Sequence, residues 1–272
     1  MTLLVVTFTH TDYKYLWPLI NDAHNQLKGL DIYTVFFCDK KEVDYYPSNF
    51  DKIFKYDDTI NYTKRMSSLL DNFKNEYDYV LVIHDIDIII NFNKESFKKY
   101  FSLMTLNKID RLSLGIYCSS ETIDYDNDIK IGKLLPTLKS HLYVPYDVTP
   151  SIWLIKSFQY LCVTFDKETY ASSEQNKDWQ HICETKLNCY GIQFTNSIKI
   201  QYCRGIPYST MFKFLHITTS GKFVYPLEIY QDTYQDLLHI LEKYKISIEK
   251  IGHYEQQNTY LDCKNRPYVL TL

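Results

Sequence analysis

The longest apolar run in the chain covers residues 79–90, Tyr-Val-Leu-Val-Ile-His-Asp-Ile-Asp-Ile-Ile-Ile, interrupted only by His84, Asp85 and Asp87. A segment apolar at successive positions belongs to a strand covered on both faces, the usual condition of a parallel sheet. The pattern therefore predicts one buried strand that ends in a carboxylate pair. Upstream, residues 3–8 form a shorter run of the same kind. Tyr15, Leu16, Leu19, Ile20, Ala23 and Leu27 then recur at helical spacing, with Pro18 tolerated near the first turn and Gly29 as the stop. Residues 31–38 and 52–55 read as the second and third strands. A helix carrying Ile60, Tyr62, Met66, Leu69, Leu70 and Phe73 leads into the central run, and a helix over 94–104 and a strand over 111–117 follow it. This alternation predicts an α/β fold with a mostly parallel sheet flanked by helices.

Beyond Tyr143 the pattern changes. Residues 143–156 form a proline-punctuated loop that runs into a strand, and a mostly helical segment extends to Leu187. Strand character returns over 190–202, and 213–223 is an apolar run closed by Gly221-Lys222. The spacing of Leu227, Tyr230, Tyr234, Leu237, Leu238 and Leu241 predicts an amphipathic helix that packs as a C-terminal extension. No repeat, low-complexity tract or linker interrupts the 272 residues, so one domain is expected.

Composition narrows the partners. A net charge of -3 supplies no polycationic field, so no nucleic-acid partner is expected. The 26 Tyr against 7 Gly read as genome composition bias rather than as a functional device. The seven cysteines are odd in number and contain no C-x-x-C pair, the pattern of a reduced, cytoplasmic protein. The N-terminus lacks the basic region of a signal peptide, and no stretch approaches the roughly 18 apolar residues of a transmembrane span.

The candidate chemistry gathers at strand ends. Asp85 and Asp87, two residues apart on a strand, can direct both carboxylates to one side. Among apolar neighbours they repel each other and lose hydration, which a hard divalent cation such as Mn²⁺ or Mg²⁺ relieves. Such an ion keeps phosphate oxygens among its ligands, so a phosphorylated substrate is implied. Asp-x-Asp alone is a weak motif, and Asp124, Asp126 and Asp128 repeat it. That second cluster lacks the glycine and distal acid of a calcium loop and reads as a solvated turn. Thr7 and Thr9 stand where the first strand stops. Asp39, after the second strand, suits a ribose hydroxyl or base N–H, or else forms a solvated turn with Lys40 and Lys41. Tyr62 and Arg65 lie early in the next helix, with Arg65 or Lys64 available for phosphate. His216 offers a third metal ligand, and Lys222 can reach a diphosphate.

Taken together these residues resemble a nucleotide-sugar-dependent glycosyltransferase of the GT-A fold, of the DxD type. The stretch from His216 to Phe223 looks like the His-x-x-Gly-x-x-Lys-Pro-Trp motif of the glycogenin and lipopolysaccharide galactosyltransferase family. It has two more residues between His and Gly, and Phe-Val replaces Pro-Trp. The resemblance implies a UDP-sugar donor, a metal held directly by Asp87 with His216 as second protein ligand and Asp85 touching the ribose or the metal through water, and phosphate charge neutralised by Lys222 and Arg65. It implies a nucleotide-binding half over 1–117 and an acceptor-binding half over 118–225, with glycan, protein or small-molecule acceptors. A catalytic base is expected within 173–180, Asp178 first and Glu174 second, and Trp179 could stack on a sugar. Stereochemistry and oligomeric state stay open. Two alternatives remain. A nucleotidyltransferase of related fold would carry a glycine-rich loop after the first strand, where this chain has Thr-His-Thr-Asp. A non-catalytic nucleotide-sugar or carbohydrate-binding protein would keep the metal site without turnover.

Overall fold

A computed structural model describes residues 3–117, 122–124, 130–134, 150–193, 211–216, 218–219, 222–223 and 234–247. Strand β1 (Leu3–Phe8) lies parallel between β2 (Ile32–Asp39) and β4 (Tyr79–His84), and β3 (Lys52–Tyr56) adds in parallel outside β2. Every residue of β4 is buried, which is why the segment is apolar on both faces. Phe8, Asp39, Tyr56 and His84 are the last residues of these four strands, so their side chains share one edge of the sheet.

The run over 79–90 is not one strand. The chain turns at Asp85 and Ile86, and β5 (Asp87–Phe92) leaves the main sheet to pair antiparallel with β11 (Phe212–His216). The cause lies in the turn. The Asp85 N–H donates to Phe8 O at 3.0 Å, while its carboxylate takes donors from the segment after β1, which ties the chain there. Apolar content reported burial correctly but carried no sign of this break.

The rest of the main sheet is mixed. β6 (Arg111–Tyr117) follows helix α3 (Lys94–Leu106), and the short strands β7 (Thr122–Asp124) and β8 (Lys130–Lys133) form the far edge. β9 (Ser151–Leu154) inserts antiparallel between β4 and β6, and β10 (Cys189–Gln193) pairs parallel with β6 and antiparallel with β8. The order is β3-β2-β1-β4-β9-β6-β10-β8-β7. A two-stranded ribbon of β12 (Thr218–Thr219) and β13 (Lys222–Phe223) follows β11.

Strand period 2 divides the core into two layers. Leu3, Val5, Leu81 and Ile83 face α1 (Trp17–His24) and α3, and Leu241 of α7 (Tyr234–Lys243) joins that layer. Leu4, Val6, Val80 and Val82 face α2 (Tyr62–Leu70), α4 (Ile155–Thr164) and α6 (Lys177–Thr185); the short α5 (Tyr170–Gln175) leads into α6. The result is the expected α/β fold, a mostly parallel sheet between helical layers. Gly29, at φ 77°, ends the first helical segment in the left-handed conformation that glycine adopts without strain.

Candidate functional site

The carboxylate of Asp85 sits at the shared edge of β1 and β4, 7% exposed. The Thr9 hydroxyl donates to its Oδ2 at 2.8 Å and the His10 N–H donates to the same oxygen at 3.1 Å. Thr9 is itself held by Trp17, whose Nε1–H donates to Thr9 Oγ1 at 2.9 Å, and its carbonyl accepts from the Tyr56 hydroxyl at 2.7 Å. Burial pushes the Asp85 carboxyl up to about 7; the Thr9 and His10 donors oppose this, and the nearby Asp87 charge adds to it. A carboxylate kept buried beside a second carboxylate, with two donors among the described residues and both on one oxygen, fits a site where a cation supplies further charge.

Asp87, 5% exposed, opens β5, and the β5–β11 ladder sets His216 directly opposite it. Residues 129 positions apart in sequence are thus cross-strand partners, beside Asp85 two residues away. Lys222 lies in β13, paired with Thr219. Asp87 also lines a small cavity with Thr7 and His24.

The expected nucleotide-contacting residues divide into supporting and surface positions. Thr7 and Thr9 are both 1% exposed: Thr7 Oγ1 meets His24 Nε2 at 2.8 Å, and Thr9 serves Asp85. Asp39 is fully buried and accepts from Thr11 N at 2.8 Å and Thr11 Oγ1 at 2.8 Å, which anchors the segment after β1 to β2. Above it, His10 Nε2 lies 2.9 Å from Asp58 Oδ2 and 3.6 Å from Asp39 Oδ2. Arg65 donates to the carbonyls of Ile60 and Asp58 and lies over the Tyr56 ring at 4.5 Å, so its guanidinium stiffens the approach to α2. His10 and Asp58 stand 48 residues apart, and only the sheet order β3-β2-β1 makes them neighbours.

Aromatic rings wall the other side. Phe8 stacks on Tyr56 at 5.0 Å and meets Tyr62 edge-on at 5.3 Å, and His84 lies 4.2 Å from the Tyr170 ring. Burial lowers His84 to about 3, so the imidazole is neutral and behaves as one more ring of the cluster. Tyr170 carries no sequence signal beyond being one of many tyrosines. Its contact brings the start of α5 to the strand edge next to Asp85. Glu174 belongs to the same short helix as Tyr170. Asp178 is exposed in the first turn of α6. Trp179 corrects an expectation: it is fully buried and stacks on Phe165 at 5.5 Å, because the amphipathic α6 turns Trp179, Ile182 and Cys183 toward the sheet. No sugar can reach it.

No protein-family model and no curated protein matches the chain. Among solved structures it is similar to S. aureus TarS 1-349 in complex with UDP-GlcNAc, at 14% identity and TM-score 0.47 over 92% of this chain and 69% of that one. Against another crystal structure of TarS 1-349 the values are 15% and 0.44 over 72% and 58%, so the chain spans under three fifths of that protein. A CMP:2-keto-3-deoxy-manno-octonic acid synthetase complexed with CTP is similar at 10% identity and TM-score 0.44, over 72% of this chain and 90% of that one. Among the described residues, no helix is long and apolar enough to cross a membrane.

Proposed function

We propose that this chain is a metal-dependent glycosyltransferase of the GT-A type, moving a sugar from a nucleotide-diphosphate sugar, a UDP-sugar in the first instance, to a glycan, protein or small-molecule acceptor. The observation that carries this reading is the buried pair Asp85 and Asp87 at the carboxyl edge of the central strand, with His216 as the ladder partner of Asp87. Two carboxylates and a histidine at such an edge suit Mn²⁺ or Mg²⁺, and the raised Asp85 carboxyl marks charge that the described residues leave only partly compensated. When bound, the ion would supply Lewis-acid stabilisation to the departing diphosphate.

The chain's own residues do the rest. Thr9 and the His10 N–H fix one oxygen of Asp85, which leaves its other oxygen for the ion. Lys222 and Arg65 are the cations assigned to phosphate, with Arg65 first leaving its bonds to the loop before α2. Thr7, Thr9 and Asp39 shape the edge from beneath, and Tyr62 belongs to the ring wall that bounds the donor. Of the two base candidates, Asp178, exposed in the first turn of α6, stands first and Glu174 second. Calorimetry of UDP binding with Mn²⁺ and with EDTA tests this. Metal-dependent binding is expected, lost in Asp87→Ala, together with slow hydrolysis of a UDP-sugar when no acceptor is present. Metal-dependent binding without hydrolysis would point instead to a nucleotide-sugar-binding protein. UDP, GDP and CDP all failing to bind would overturn the reading.

A further inference from the structure

Behind Asp87 the molecule holds a cavity with room for about one water, lined by Thr7, His24 and Asp87 and by isoleucines that include Ile20, Ile83 and Ile88. His24 is 3% exposed and buried against Phe50, their ring centroids 4.1 Å apart. Its Nε2 pairs with the Thr7 hydroxyl at 2.8 Å, but its Nδ1 is buried with no hydrogen-bond partner among the described residues. A buried polar atom without a partner is costly, and such atoms in native proteins usually mark an ordered water. An apolar cavity stays dry; this one counts a threonine, a histidine and an aspartate among its lining residues, enough to offer the two to four polar partners that a buried water takes.

We propose that the cavity holds one ordered water that joins His24 Nδ1 to the Asp87 carboxylate, and that His24 is thereby a positioning residue for Asp87. The direction of the bridge does not depend on the imidazole tautomer. If Nε2–H donates to Thr7, Nδ1 accepts one water O–H and the carboxylate accepts the other. If the Thr7 hydroxyl donates to Nε2, Nδ1–H donates to the water oxygen and the water still donates to the carboxylate. In both cases the water contributes a donor to Asp87 on the side of α1, fixing the rotation of the carboxylate as outer partners of metal ligands commonly do. Burial lowers His24 to about 3, so the ring stays neutral and this arrangement holds across the working pH range.

The inference rests on the metal reading of Asp87, and the tests separate the two. A high-resolution crystal structure of the unaltered, metal-free chain should show the water between His24 Nδ1 and Asp87. In His24→Phe, which keeps the packing on Phe50 but removes both ring nitrogens, the water should be gone and Mn²⁺ affinity by calorimetry should fall about tenfold. His24→Asn, whose side-chain oxygen stands near the place of Nδ1, should restore most of that affinity. A dry cavity in the unaltered chain overturns the proposal, and so does a folded His24→Phe that binds Mn²⁺ as tightly as the unaltered chain. If the unaltered chain binds no Mn²⁺, the metal reading fails while the crystal structure still decides the bridge.

Discussion

Asp85→Asn isolates the electrostatic cost carried by the central strand edge. The two donors among the described residues, Thr9 Oγ1 and His10 N, converge on a single oxygen of Asp85, so the carbonyl oxygen of asparagine can take both and only the charge is removed. In the folded chain the Asp85 carboxyl is raised from 3.8 to about 7, chiefly by burial. At ~1.36 kcal/mol per pH unit, this amounts to roughly 4 kcal/mol of native-state destabilisation in the ionised form. The sign follows from the direction of the shift. A carboxyl raised on folding binds its proton more tightly in the native state, so its stability contribution is complete below the unfolded value of 3.8 and is lost as the pH rises to about 7. Asp85→Asn should abolish that loss. In EDTA its stability advantage over the unaltered chain should grow by about 2 kcal/mol between about pH 5.5 and 8.5. Near the melting point this corresponds to a shift of about 4–8 °C for a chain of this size. Thermal unfolding followed by circular dichroism at several pH values measures it directly. Saturating Mn²⁺ should raise the melting temperature of the unaltered chain at the higher pH and leave that of the variant in place. An advantage that does not change with pH, or a variant less stable than the unaltered chain at pH 8.5, would refute the assignment of a buried, only partly compensated charge.

The other predictions concern the supports of the site and the layers beneath it. Thr9→Val removes a donor to Asp85 and the acceptor for Trp17 Nε1–H, so it should cost about 1–3 kcal/mol by denaturant unfolding and weaken Mn²⁺ binding in calorimetry. Leu81→Ala, at a fully buried position of β4, should cost about 2–5 kcal/mol in the same unfolding assay, the range for truncating a well-packed core leucine. Asp178→Asn should lower kcat for transfer by about 10²-fold or more with little change in UDP affinity, as expected for loss of a general base. A larger loss in Glu174→Gln would reassign that role.

The sequence by itself determined the α/β class, because a strand buried on both faces must be apolar on both faces and β4, β1 and β2 carry that mark in their composition. Helix spacing and the stop at Gly29 were legible for the same local reason, while α3 runs two residues past the expected end at Met104, to Leu106. So was the carboxylate pair, since ionisable groups in an apolar run stand out in any reading. Tertiary structure alone decided that the run breaks at Asp85, that β9 enters antiparallel between β4 and β6, and that Trp179 belongs to the core. It alone paired Asp87 with His216, attached Thr9 to Asp85 across 76 positions, and set His24 behind Asp87. Hydrophobic periodicity records how each residue is covered, which is a local property. Which carboxylate meets which hydroxyl depends on strand order and register, and these are settled by long-range pairing that leaves no periodic trace in the chain.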